Sequence, residues 1–515
     1  MNSGDPNNLA CWLLQDGDGS SPAMVFRDRI IAYIEVRDRV DSLAAILLDS
    51  GFQKGDRIGL YSDNCPFFAI TYLATIRAGL CAVPFAPGTD QKLFRAVVDT
   101  AGMRCAFVQQ KHLRNAQEWS REPGLRLLPE PWVEERWLAA LAGNRRTSAL
   151  KAPLIDPERD LAVLAFTSGS TGTPKAVMVT HRNIRCNTED IIRYMRLTER
   201  DRVMAVLPLS YCFGASLLHT HLRAGASVVL ASSFMFPEKI LDEMEARGCT
   251  GFAGVPSTYQ ILLRKTNFSR RRFPALQWLQ QAGGKLPASV IAEVVAAQPD
   301  ARLYVMYGQT EATARLSYLE PSMLAAKRGS IGMGLASTRL EVLNQDGVPV
   351  AAGSEEVGEI VASGPNISPG YWNSPEETAR FFRNGRLYTG DLARVDRDGF
   401  LYIVDRARDF IKSAGNRISP QEIEEVIASH PDVLHVAVVG VPDELLGEAV
   451  AAFAVPRAAD CLSEASLKDY CNERLPNHKV PQHIQVMGRL PMNDFGKVLK
   501  EELRSTIGAP RPGMG

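Results

Sequence analysis

Apolar residues recur along the chain in two alternating rhythms. Over 31–48 they return at helical spacing, Gly51 and Gly55 interrupt, and 57–61 then reads as a strand. A second helix is predicted over 67–77 and a second strand over 82–85, an alternation expected of an α/β domain. Further strands are predicted over 161–166, 177–181, 203–209, 251–254, 276–284, 303–307 and 400–404, the last followed by the charged run Asp405, Arg406, Arg408, Asp409. Charge clustered between two apolar segments marks an exposed interdomain joint. Beyond it lies a separate set of patterns, with helices over 421–429 and 467–475 and a strand over 433–441. A chain of 515 residues exceeds one ordinary core. The expected organisation is a large α/β domain of layered sheets and helices over 1–405, a hinge at 406–409, and a smaller, mobile α+β domain over 410–515.

Composition narrows the functional classes. Lys plus Arg and Asp plus Glu both number 58, so no net field favours nucleic acid or an anionic membrane. The nine cysteines are scattered singly, as suits a reducing compartment. No basic-then-apolar leader opens the chain, and the apolar run over 69–87 is broken by Arg77, so no membrane span is expected and a cytoplasmic enzyme is the default. His219 and His221 have no Cys or His cluster near them in sequence, and core or surface positions are expected for both.

The stretch with the most chemistry is 166–175, Phe-Thr-Ser-Gly-Ser-Thr-Gly-Thr-Pro-Lys. Its hydroxyls, its glycines and its terminal cation are suited to phosphate, and flanking strands place it in a hairpin-like context. Pro174 before Lys175 and Ala176 after it exclude a Walker A loop. A second motif, 303–311, delivers Tyr307 as an aromatic platform, Gly308 for close approach, Thr310 as a hydroxyl donor and Glu311 as a hard oxygen ligand for Mg²⁺. Gly283 and Gly284 fit a flat ligand, and Asp391, in Thr-Gly-Asp, can accept two ribose hydroxyls.

Thr-Ser-Gly-Ser-Thr-Gly-Thr-Pro-Lys, Tyr-Gly-Gln-Thr-Glu and Thr-Gly-Asp, in this order, resemble the signatures of the adenylate-forming superfamily of acyl-CoA synthetases, peptide-synthetase adenylation domains and luciferases. The resemblance implies that Thr167, Ser168, Gly169, Ser170, Thr171, Gly172 and Lys175 hold the β- and γ-phosphates. It implies further that Gly283 and Tyr307 flank adenine, that Asp391 and Arg406 bind ribose, that Thr310 touches the α-phosphate and carboxylate, and that Glu311 holds the metal. Tyr211, Ala282, Met306 and Arg315 fall in the acyl pocket, Arg408 at the hinge, Gly415 at the thiol tunnel, and Lys497 at the catalytic lysine.

The implied reaction is attack of a carboxylate on the ATP α-phosphorus, giving acyl-AMP and pyrophosphate, then transfer to the thiol of coenzyme A. ATP and Mg²⁺ are the implied cofactors. A carrier-protein phosphopantetheine or an amine is the alternative acceptor, and the absence of a carrier-like Ser motif points to a freestanding enzyme. The segment 233–237 lacks the Asp that pairs an α-amino group in amino-acid-activating domains, which disfavours an amino-acid substrate. An ATP hydrolase or kinase would show a Walker A lysine or the kinase set, which are not arranged here. Retained Lys497 and Glu311 disfavour a non-catalytic binding module. For Arg315 two readings stand: a surface or acid-paired guanidinium, with somewhat the greater weight, and a contact to a polar group on a compact aryl or acyl acid.

Overall fold

The computed structural model describes residues 5–86, 88–120, 124–142, 152–167, 174–406, 410–413, 416–443, 445–458, 461–492 and 498–507. Ser168, Gly169, Ser170, Thr171, Gly172, Arg408, Gly415 and Lys497 lie outside the described residues, which contain four sheets.

Two sheets build the bulk of the large domain. One runs in the order Arg126–Pro129, Cys105–Val108, Arg57–Tyr61, Cys81–Pro84, Leu161–Thr167, Lys175–Thr180. It is parallel until its last pair, which is antiparallel with Thr167 opposite Lys175. Both ends of the phosphate loop are therefore held face to face. The other sheet has nine strands, and its central strands Ser227–Leu230, Arg202–Ala205, Gly251–Gly254, Trp278–Gln281 and Arg302–Tyr307 are all parallel. Their near-continuous apolar character is what parallel strands covered on both faces require. Helix Pro66–Arg77 is buried from Phe67 to its end, and one hydrophobic cluster joins it to strands of both sheets. A helix apolar on every side belongs in such an interior.

A third sheet of five strands contains Gly358–Ser363, Arg386–Val395 and Leu401–Arg406. Asp391 lies inside the strand Arg386–Val395, where its backbone pairs with Arg406. The small domain packs helices Pro420–Ala428 and Glu464–Arg474 on a sheet centred on the antiparallel pair Val433–Asp443 and Gly447–Pro456. This matches the expected α/β plus smaller α+β architecture.

Several predicted boundaries move for identifiable reasons. The strand expected over 203–209 is Arg202–Ala205, because Asn64 draws the following backbone away. Its Nδ2 donates to Leu207 O at 2.8 Å, and its Oδ1 accepts from Leu209 N at 2.8 Å. Tyr211 to Gly214 then open helix Cys212–Arg223 rather than closing a strand. The strand expected to reach His181 stops at Thr180, whose side chain caps helix His181–Met195 in reciprocal bonds with Asn183. Of the helix predicted over 31–48, the first two residues belong to strand Arg29–Ala32, and the helix is Tyr33–Asp49. No described helix is long and apolar enough to cross a membrane.

Candidate active site

The strand ends of the nine-stranded sheet, the third sheet and the first turn of helix Pro420–Ala428 meet around a cavity of about 530 Å³. Thr167, Lys175, Tyr211, Gly283, Met306, Tyr307, Thr310, Glu311 and Asp391 all line it. Motifs distant in sequence thus converge. Ala282 is buried beside Gly283 but forms no part of the wall.

One wall is shaped by glycine. Gly283 has φ +86°, and a Cβ there would come within 3.0 Å of Val255 Cγ1. At Gly308 a Cβ would sit 1.9 Å from Ala314 O, so only glycine lets the chain turn back beneath Tyr307. The Tyr307 hydroxyl donates to Asp391 Oδ2 at 2.6 Å. This fixes the aromatic ring and the carboxylate together, and Asp391 is almost fully buried.

Glu311 follows Thr310 in a short 3₁₀ turn. Its Oε1 accepts from the Tyr371 hydroxyl at 2.8 Å. Burial and then the adjoining Glu311 carboxylate push the Tyr371 phenol well above its ordinary range, so it stays a donor. Residues 370–372 also bind the strand leaving the phosphate loop, with Met178 N donating to Gly370 O and Trp372 N to Ala176 O. Lys175 pairs with Glu377, and its ammonium stands 4.9 Å from the Phe381 ring centroid and 5.3 Å from that of Tyr371. Sequence reasoning missed Tyr371 and Glu377 in these roles, since only their fold neighbours reveal them.

Behind the wall, Thr310 Oγ1 donates to Cys212 Sγ at 3.6 Å, and burial raises the Cys212 thiol. The next turn is strained. Thr313 has φ +71°, uncommon for a β-branched residue, and its hydroxyl is anchored on Asn366 O at 2.8 Å. Arg315 corrects the favoured expectation: it is 1% exposed, and among the described residues no carboxylate forms an ion pair with it. It packs behind Met306 and not on the cavity surface itself. His219 and His221 are core residues, and burial lowers their pKa values to about 3 and about 4.

The small domain reaches the same cavity. Gln421 forms part of the lining, Lys285 pairs with Glu425, and Ser419 Oγ donates to Asp405 Oδ2 at 2.6 Å.

The description AMP-binding enzyme matches residues 15–372, and AMP-binding enzyme C-terminal domain matches 422–497. The chain belongs to the AMP-binding enzyme family. It is thus an adenylate-forming enzyme, an AMP-forming acid–thiol ligase. Among relatives of this AMP-binding enzyme, a feruloyl-CoA synthase of Amycolatopsis sp is 32% identical over 494 residues, covering 93% of this chain and 94% of the relative. A long-chain-fatty-acid–CoA ligase of Bacillus subtilis (strain 168) is 29% identical over 532 residues, covering 97% and 94%. The solved structure of ATP-bound MatB from Rhodopseudomonas palustris superposes with a TM-score of 0.88 at 27% identity, covering 98% and 99%.

The cavity of this AMP-binding enzyme fits ATP and Mg²⁺, the groups its sequence motifs imply. Its glycine cradles leave room for a flat ring, and Gln309 Nε2 and Gln421 Oε1 are buried polar atoms at its edge without partners among the described residues. Among the described residues no cluster of three or more His, Cys, Asp or Glu could hold a metal. Glu311 suits Mg²⁺, which takes one or two carboxylates and completes its shell with water and substrate phosphates.

Proposed function

We propose that the protein activates a compact carboxylic acid as its acyl adenylate and passes the acyl group to the thiol of coenzyme A. The observation that carries this reading is the convergence of Lys175, Tyr307, Glu311 and Asp391 around one cavity. In the first step a carboxylate oxygen bonds to the α-phosphorus, the bond to the β-bridging oxygen breaks, and pyrophosphate leaves. In the second the thiolate sulfur bonds to the acyl carbon and AMP departs with the electron pair.

The residues have complementary tasks in this reading. Tyr307 and Gly283 hold the base, and Asp391, oriented by the Tyr307 hydroxyl, accepts from the ribose. Lys175 and the hydroxyls of the preceding loop hold the outer phosphates. Glu311 would hold Mg²⁺, which when bound neutralises phosphate charge as it develops. Thr310 donates to the reacting carboxylate or α-phosphate, and Lys497 places its point charge between the two reactants. Fixed donors and cations of this kind supply most of the rate, because charge accumulates on phosphoryl oxygens. The domain boundary at 406–409 belongs to the same proposal, with the small domain turning about Arg408 between the two steps.

Relatives of near-equal similarity act on feruloyl and long-chain acyl groups, so identity does not choose the acid. A compact acid with a polar substituent is favoured because Arg315, 1% exposed, stands behind the cavity-lining Met306, where a purely apolar chain would leave it uncompensated. The test is pyrophosphate release over a panel of acids, followed by addition of coenzyme A, a phosphopantetheinyl carrier or an amine. Release with an acid and thioester formation with coenzyme A are expected. No release with any acid overturns the reading, and turnover only with a carrier or amine replaces the acceptor.

A further inference from the structure

Behind Met306 lies a cluster with more donors than good acceptors, in which the Arg315 guanidinium reaches the Tyr194 phenol, Gln280 and a thioether. Arg315 Nη2 donates to Gln280 Oε1 at 3.0 Å, and its Nε points at Met306 Sδ at 3.1 Å. The Tyr194 hydroxyl donates to the same sulfur at 3.1 Å. The guanidinium lies 4.0 Å from the Phe213 ring centroid. A thioether is a weak acceptor, and among the described residues no carboxylate balances the charge. A buried cation in this state is costly unless something else pairs with it.

The cluster is also fixed in place. Asn187 Nδ2 and Asn366 Nδ2 donate to Arg315 O at 2.8 and 3.0 Å, and Arg315 N donates to Asn187 Oδ1 at 3.2 Å. The guanidinium therefore departs from a rigid backbone. Met306, by contrast, is unbranched and adaptable, and it is the residue between this cluster and the cavity.

Resting on the adenylation reading above, we infer that the acid is a dicarboxylic acid whose distal carboxylate displaces the Met306 sulfur and takes the Arg315 and Tyr194 donors. A carboxylate suits the site better than a hydroxyl or amide. It only accepts, with about four lone-pair positions, and the groups of the cluster left without a strong acceptor, the Arg315 N–H groups and the Tyr194 hydroxyl, are donors. Its charge also compensates the guanidinium. The distal carboxylate, held ionised and away from the phosphates, does not react, so the product is a mono-thioester with one free acid. A methyl-terminated chain would leave Arg315 buried and uncompensated, and the site rejects it on that ground.

The test measures ATP–pyrophosphate exchange by the full chain with short aliphatic and aromatic dicarboxylic acids, each beside its monomethyl ester. The wild type is expected to prefer a diacid over its ester by about a hundredfold in kcat/KM. Arg315→Met should collapse this ratio to about threefold or less, chiefly through KM for the diacid. Tyr194→Phe should reduce it partially, and carries the test if melting curves show Arg315→Met to be unfolded. Equal or better use of esters and monoacids by the wild type overturns the inference, as does a diacid preference that survives in a folded variant. Exchange with monoacids alone leaves the adenylation reading standing while removing this one, whereas exchange with no acid removes both.

Discussion

Tyr307 and Asp391 form a pair in which a neutral hydroxyl sets the direction of a carboxylate. If Asp391 binds the ribose, Asp391→Asn should raise KM for ATP roughly 10- to 150-fold, the range for hydrogen bonds to a charged group. The check is 2′-deoxy-ATP: the wild type should discriminate against it, and the variant should do so much less. A second expectation concerns His181, His219 and His221, whose pKa values burial lowers to about 4, about 3 and about 4. With the folded pKa below the ordinary value of about 6.5, the unfolded chain binds more protons between these limits. Stability is then full above about pH 6.5 and is lost as pH falls, by at most about 1.4 kcal/mol per pH unit per histidine. Thermal midpoints measured from pH 7 to pH 4.5 should fall, and His219→Asn should make the fall shallower.

At the scale of elements, the polar motifs were legible because each sits where a strand delivers it. The apolar run 303–307 is strand Arg302–Tyr307, and the residues that follow it enter the cavity as expected. What the linear pattern does not carry is the side chain that reaches across from another element. Asn64 truncates the strand Arg202–Ala205, and Asn187 and Asn366 secure the turn bearing Thr313 and Arg315 from two distant segments. An isolated asparagine has no periodicity, and its role exists only after folding. The burial of Arg315 was hidden for the same reason, since nothing in Ala-Thr-Ala-Arg distinguishes an arginine over Phe213 from one in solvent. Asn366→Ala also removes the acceptor of Thr338 Oγ1, at 2.9 Å, along with the bond to Arg315 O. The expected loss is about 2 kcal/mol of stability, seen as a lower melting midpoint, with KM for the acid rising more than KM for ATP.

Over the whole molecule, the proposed mechanism divides the reaction between two bodies. Lys497, by the resemblance, belongs to the first step alone, so Lys497→Ala should slow adenylation by at least about a hundredfold. Thioester formation from supplied acyl-AMP should stay within about threefold of wild type in the same variant. Equal loss in both steps would remove the assignment. Arg408→Pro should do the reverse, slowing the second step more than the first, because the ring fixes φ near about −65°. Single-turnover measurement of each step separates the two. Gln421 lends the small domain a place in the cavity wall, and Lys285 with Glu425 ties the domains beside it. A nucleotide lodged there touches both bodies at once and acts as a rivet between them. Amide hydrogens in the small domain, far from any phosphate, should then exchange more slowly when AMP is added.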